Sequence, residues 1–184
     1  VQYKQNNFVI NDFKMNHYSS KGEKLYSIVS PISIYDKFNF TYQLSNTNIK
    51  FFDKNILSYE INSNNANVLN NKQLELNGNI NITDKNNNTV IKSKVLYWNI
   101  DKSEIILNGD VTLVNTNVRL NSGKAVLNRN KNIITFYKPV KYDYIDKKVN
   151  KSLYIKSENA IYNLTNNNVI FRSSDDKVKS KILF

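Results

Sequence analysis

Apolar and polar residues alternate with a period of two along most of this chain. The segment 91–113, IKSKVLYWNIDKSEIILNGDVTL, shows the pattern most clearly. Leu96 and Trp98 share one face, and Asn99, Ile100, Asp101, Lys102 and Ser103 make a polar turn. Beyond the turn, Ile105, Leu107, Gly109, Val111 and Leu113 fall on one face, with Ile106, Asn108, Asp110 and Thr112 on the other. Successive side chains of a strand point to opposite faces, so strict alternation marks a half-buried strand. The segment predicts two strands joined by a short turn, with Ser93 at its opening.

The chain repeats this unit. Ser63 is followed by Ala66 and Val68, Ser93 by Leu96 and Trp98, Ser122 by Ala125 and Leu127, and Ser157 by Ala160 and Tyr162. The serines lie 30, 29 and 35 residues apart. Each unit continues into an Asn/Lys-rich turn and a second apolar ladder. The ladders are Leu74/Leu76/Ile80/Ile82, Ile105/Leu107/Val111/Leu113, Ile134/Phe136/Val140/Tyr142 and Val169/Phe171. Ser30, Ser33 and Tyr35 form a degenerate earlier copy that leads into Phe38/Phe40/Tyr42/Leu44. A repeat of this length implies one supersecondary unit stacked several times, none able to bury its apolar face alone.

Taken in order, residues 1–7 are polar and expected to fray, and Phe8 to Tyr18 is the first predicted strand. Residues 19–23, SSKGE, are a hairpin turn in which Gly22 supplies a positive φ. Leu25 to Val29 returns, and Pro31 ends that strand or places it on an edge, because proline lacks an amide hydrogen. Phe38 to Ser45 alternates, Ile49, Phe51 and Phe52 form a short strand turned by Asp53-Lys54-Asn55, and Leu57, Tyr59 and Ile61 lead into the first clear repeat. Lys141 to Ser152 is expected to be a charged loop that accounts for the longer last interval, and residues 173–184 to be a polar break followed by a tail or edge strand. A single domain over 1–184 is expected, long enough to bury about 70% of its unfolded surface. Antiparallel hairpins of this kind close into a barrel, stack as a sandwich, or stay open as a slab with two exposed edges. Short turns argue against a parallel β-helix. The strands look too short, and the lysines too evenly spread, for an outer-membrane barrel.

Composition changes the picture in three ways. With only 4 glycines and 2 prolines, asparagine takes over the turns, as at Asn70-Asn71, 86–88 and 166–168, because it tolerates left-handed backbone. Cysteine is absent, which removes disulfides, zinc–thiolate sites and thiol nucleophiles. The net charge of +11 favours anionic partners: nucleic acid, anionic lipid or a phosphorylated glycolipid. Lysines supply nearly all of it, scattered over turns and polar faces; Arg119, Arg129 and Arg172 are the arginines. The candidate base-stacking residues Phe38, Phe40, Tyr42, Phe51 and Phe52 alternate with Asn, Thr, Gln and Ser rather than with basic residues, so core packing is expected and a nucleic-acid platform is not. No apolar run approaches the length of a membrane-spanning helix.

Catalytic chemistry has little to stand on. His17 is the one histidine and lies between predicted surface residues. Glu23, Asp143, Asp146, Asp175 and Asp176 are loop carboxylates without a fixed pairing, and neither phosphate-binding glycine motifs nor a nucleophile elbow occur. No enzyme activity, cofactor or metal is expected.

From Val9 to Tyr144 the chain resembles the LptC family, the periplasmic component of the lipopolysaccharide export system. The carrying segments are HYSSKGEKLYSIVS (17–30), Tyr35, and TNIKFFDKNILSYEINSNNANVLNNKQLELNGNINI (47–82). Tyr59, Ile61, Ser63, Ala66, Leu74, Leu76, Gly78, Ile80 and Ile82 stand at the family's pattern positions. From Ser63 onward the repeats are also similar to the OstA-type domain of LptA and of the LptD N-terminal region. The unit around Ser157 extends past a minimal LptC and leaves an LptA-like role open.

The resemblance implies an all-β fold: a slab-like, twisted antiparallel β-jellyroll with open sheet edges and an apolar interior that holds acyl chains. It implies a non-enzymatic carrier that receives lipopolysaccharide from the inner-membrane ABC transporter (LptB, LptF, LptG) and passes it to an LptA-like jellyroll. Edge-to-edge homo-oligomers are a further expected partnership. The expected location is the periplasm, with an inner-membrane anchor contributed by a segment outside this sequence. The residues expected to line the lipid groove are Leu76, Ile80, Ile82, Trp98, Leu107, Val111, Leu113, Leu127 and Phe136. The alternative is a structural or adhesive β-repeat protein that binds polysaccharide or protein through its edges and has a filled core.

Overall fold

A computed structural model of the chain describes residues 7–70, 72–146, 151–174 and 178–183. Of the expected frayed start at 1–7, residues 1–6 lie outside the described residues, as do Asn71, 147–150, 175–177 and Phe184, whereas Asn7 is already in the first strand. The strands are β1 (Asn7–Tyr18), β2 (Lys24–Asp36), β3 (Thr41–Asp53), β4 (Ile56–Leu69), β5 (Gln73–Asp84), β6 (Val90–Asn99), β7 (Glu104–Asn115), β8 (Val118–Asn128), β9 (Ile133–Asp146), β10 (Lys151–Asn163), β11 (Val169–Arg172) and β12 (Lys179–Leu183). They form one antiparallel sheet. β1 to β11 follow in chain order, each bonded to the next, and β12 pairs with β10 beside β11. Among the described residues the sheet does not close, so β1 is one edge and β11 with β12 the other.

The serine repeat marks a row of β-bulges. The hydroxyls of Ser63, Ser93, Ser122 and Ser157 each donate to the carbonyl two residues on, at 3.1, 3.3, 2.8 and 3.0 Å. Ser30 makes the same bond to Ile32 at 2.7 Å, so the degenerate copy is a true one. Ladder register breaks at Asn62/Asn65, Lys92/Val95, Asn121/Lys124 and Ser157/Asn159, and the β2–β3 ladder skips from Val29 to Ile32. A bulge inserts one residue and so reverses which parity faces inward. That is why the inward residue after each serine comes at an odd spacing of three. On β5 and β7 the facing positions are Gly78-Asn79 and Gly109-Asp110, with φ of 77° and 48° in both pairs. Ser93 therefore sits in mid-strand and does not open its hairpin.

Apolar side chains run across the sheet in register. One row passes through Ile28, Ile49, Ile61, Ile82, Ile91, Leu113, Leu120, Tyr142 and Ile155. Beyond the bulges a second passes through Leu44, Ala66, Leu76, Leu96, Leu107, Ala125, Phe136 and Ala160. Contacts between strands that are not neighbours join the two sides of the bulge line. The Trp98 ring lies 5.1 Å from Tyr26 and 4.8 Å from Phe51. The Tyr59 hydroxyl donates to Asn132 at 3.0 Å, and Asn115 Nδ2 donates to the Tyr162 hydroxyl at 3.3 Å. The sheet is bent along its bulges, and the two halves of the strands face each other across a shared core, as packed sheets do.

Several expectations are corrected. Strands β1 to β10 are 10–14 residues long, so shortness is no argument against a membrane barrel; the unclosed sheet is the relevant observation. No helix among the described residues is long and apolar enough to cross a membrane. Pro31 neither ends β2 nor lies on an edge strand: it sits at the bulge, where the ladder is already interrupted and its missing N–H costs nothing. Ile49, Phe51 and Phe52 belong to the same strand as Tyr42 and Leu44. Phe38 and Phe40 are in the turn before it, 63% and 62% exposed rather than packed in the core. The expected loop over 141–152 is mostly strand, since β9 runs to Asp146 and β10 starts at Lys151. The longer last interval therefore comes from a longer hairpin.

Candidate functional site: the apolar interior and its mouths

Nine residues are expected to line a groove, and all nine sit on the inner rows. Leu76, Leu107 and Phe136 share one row; Trp98 and Leu127 share the next; Ile82 and Leu113 lie across the bulge line, with Ile80 and Val111 opposite Ser93 and Ser122. The structure gathers them into one interior in which each is between 0% and 2% exposed. Burying such side chains stabilises a fold by about 1.5–3 kcal/mol each. In this state they fill the core.

The interior has openings at its ends. Where β1 meets the turns after β4 and β6, a cavity of about 520 Å³ is lined by Phe13, Met15, Tyr26, Tyr42 and Ile100, with Lys14, Lys72, His17 and Asp101 at its rim. Its apolar wall belongs to side chains packed against the core. His17 is exposed and stacks on Tyr26 with ring centroids 4.9 Å apart. A second cavity of about 340 Å³ lies over Leu74 and Trp98, bordered by Tyr97, Glu75 and Ile106. The Trp98 indole N–H donates to the Lys102 carbonyl at 3.0 Å, which fixes the ring in the turn it helps to close.

The third mouth is polar. It is a cavity of about 410 Å³ between the β3–β4 and β8–β9 turns, lined by Lys54, Ser58, Tyr59, Asn86, Arg129 and Asn132 among others. The Arg129 guanidinium lies 4.2 Å from the Phe51 ring centroid and 5.3 Å from that of Trp98, a cation–π arrangement. Burial holds its pKa below the usual arginine range, and nearby Tyr59 and Tyr26 oppose that shift. Burial likewise raises the Tyr59 phenol, and Asp84 adds to the effect. Asp84 is itself buried, and desolvation pushes its carboxyl up against the hydrogen bonds it accepts from Asn86 and Asn87. Sequence reasoning missed Arg129, Tyr26 and Phe51 as a group. The available signal was an arginine in a chain that otherwise uses lysine, placed in an Asn-rich turn.

The bent, unclosed antiparallel sheet folded around one apolar interior places the chain among slab-like β-jellyroll proteins. A family model described as "Lipopolysaccharide-assembly, LptC-related" matches residues 2–117, more than half of the sequence, and the chain belongs to that family. A search of curated proteins finds no match. Among solved structures, the chain is similar to LptH of Pseudomonas aeruginosa, the LptA homologous periplasmic component of the conserved lipopolysaccharide transport device. That similarity has 8% sequence identity and a TM-score of 0.28, over 97% of this chain and 94% of the other. Family membership carries the coarse role with it: a component of lipopolysaccharide assembly and transport.

Proposed function

We propose that this chain is a lipid carrier that receives lipopolysaccharide from the inner-membrane ABC transporter and hands it along a jellyroll bridge toward the outer membrane. One observation carries the reading: an inward apolar row runs without a break across the strands, from β2 beside one open edge to β10 beside the other, and a second runs from β3 to β10. A hydrocarbon chain between the facing halves would meet the same kind of surface all along that direction. Each CH₂ is worth about 0.8 kcal/mol, so holding and release can both be tuned by how many groups are covered. Leu76, Ile80, Ile82, Trp98, Leu107, Val111, Leu113, Leu127 and Phe136 are the proposed acyl contacts.

The unpaired outer side of β1 is proposed to dock the periplasmic domains of LptF and LptG, whose partner is LptB. The β11–β12 edge is proposed to pair with an LptA-like jellyroll or a second copy of the chain. The whole of 1–184 acts as one unit in this reading, held at the inner membrane by a segment beyond this sequence. Fractionation of the full-length protein tests that anchoring. Photo-crosslinkers at Val111 and Phe136 test the interior: labelled lipopolysaccharide should crosslink to the folded protein, and its failure to do so at either site sinks the carrier reading. The closed packing of the same nine residues favours a second reading, an edge-binding β-repeat protein with a filled core. That reading expects no interior crosslink and retained edge pairing.

A further inference from the structure

The polar mouth contains a cation whose buried Nε has no hydrogen-bond partner. Arg129 leaves β8 at the start of a turn, and its backbone N–H donates to the Ser103 carbonyl at 3.1 Å. This bond ties the turn to the β6–β7 connection. The side chain then reaches between the facing halves onto Phe51 and Trp98. Its Nη2 donates to the Lys102 carbonyl at 3.4 Å, and its Nε is buried without any hydrogen-bond partner. Among the described residues none of the ion pairs includes it. A buried donor without a partner is costly, and a guanidinium has five donors in a planar fork suited to oxyanions. The aromatic faces hold this fork beside the cavity, and among the described residues no carboxylate pairs with it.

The surroundings select the kind of anion. Donors converge on the cavity from separate turns: Lys54 from the β3–β4 turn, Asn86 from the β5–β6 turn, and Arg129 and Asn132 from the β8–β9 turn. Asp53 is the acidic side chain on the wall, so two cations face one carboxylate. Donors arriving from several directions suit a tetrahedral oxyanion better than a planar carboxylate. The volume of about 410 Å³ leaves room for part of the group that carries the anion.

We propose that Arg129 and Lys54 form a phosphate-monoester binding site at this mouth of the interior. The anion site stands on the surroundings of Arg129 alone. Assigning its phosphate to a glycolipid headgroup, with the acyl chains lying behind the Phe51–Trp98 floor, rests on the carrier reading; free phosphate is the other source of the same chemistry. Trp98 is the chain's one tryptophan and borders the site, so its fluorescence reports occupancy.

The test titrates the protein with inorganic phosphate at constant ionic strength, with chloride and acetate as controls. Wild type is expected to show a saturable Trp98 response to phosphate and at least about tenfold weaker responses to acetate. Arg129→Gln should weaken phosphate binding by about tenfold or more and Lys54→Gln by a smaller factor. Circular dichroism checks that each variant is folded, and the exposed Lys54 position supplies the comparison should the half-buried Arg129 change unfold the chain. Absence of a phosphate response in wild type, or equal responses in wild type and folded variants, overturns the site. A second arm compares diphosphoryl lipid A with its dephosphorylated form. A preference for the phosphorylated lipid that Arg129→Gln removes upholds the headgroup source, whereas a phosphate response without that preference upholds the site with free phosphate as its ligand. Uptake of the uncharged probe N-phenylnaphthylamine reads the interior separately: its loss with phosphate binding intact counts against the carrier reading and not against the site.

Discussion

Removing the Ser30 hydroxyl tests whether the serine repeat is a structural device. Ser30 is buried, and its Oγ lies 2.7 Å from both the Ile32 and Ser45 carbonyls while accepting from the Ser45 amide at 3.1 Å. One hydroxyl proton serves one carbonyl at a time, so Ser30→Ala leaves one carbonyl and the Ser45 amide without this partner. Each buried group left unpaired costs about 1–3 kcal/mol, which makes the expected loss for the two about 2–6 kcal/mol. Ser93 is the internal control. Its single bond to Val95 is long at 3.3 Å, and Ser93→Ala should lose only about 0.5–1.5 kcal/mol. Urea unfolding of both variants reads the difference as a shift in midpoint at constant slope. If Ser30→Ala is within about 0.5 kcal/mol of Ser93→Ala, the hydroxyl is not what secures the bulge and the reasoning fails.

Gly109→Ala places a Cβ 3.0 Å from that of Lys94 at a φ of +77°, so it should lower thermal stability by the equivalent of about 1–2 kcal/mol, while Gly123→Ala, with nothing near its Cβ, should be close to neutral; equal shifts in the melting temperature would remove the strain argument. Asp84 has a raised pKa in the fold, so its contribution is fully present below its ordinary value of 3.8 and is lost as pH rises through the folded value. Asp84→Asn should therefore be more stable than wild type at neutral pH and should flatten the urea midpoint from about pH 4 upward. Glu158 behaves in the opposite sense. Bonds from the Ser174 hydroxyl and amide, then Lys138, hold its pKa down to about 2, so its contribution is present above its ordinary 4.5 and is lost as pH falls toward about 2. Glu158→Gln should speed amide exchange over Val169–Arg172, where β11 lies on β10; unchanged exchange would show that the strap at Ser174 holds nothing.

Much of the fold was legible because the inward rows impose a period the sequence has to keep. Leu74/Leu76 and Ile105/Leu107 place strands and faces correctly from alternation alone. The errors cluster where alternation meets a second constraint. Phe38 and Phe40 continue the parity of Tyr42 and Leu44, yet Asp36 accepts from the Phe38 and Asn39 amides and turns the chain before the strand begins. Pro31 misleads for a related reason, since the usual penalty of a strand proline assumes an amide bond to be lost and the Ser30 bulge has already removed it. The extent of β9 was hidden by Lys141 and Asp143, charged residues that sit on the outer face of a two-sided sheet as readily as in a loop.

The site was legible to a different degree, and the reason lies in what the spacing encodes. Three residues from serine to the next inward side chain is an odd step, which no flat strand allows; in four repeats it specifies a bulge, and the aligned bulges specify where the sheet bends. The pattern thus fixes which side chains end up inside. Whether that inside is permanent core or a surface that an acyl chain can share depends on the free energy of parting two faces, and Leu107 or Phe136 has the same apolarity in either case. Arg129 escapes the pattern altogether, because its position is set by contacts between distant turns rather than by any local period. A repeat sequence records the interior it builds; what guards the ends of that interior is written in the turns, where alternation carries no information.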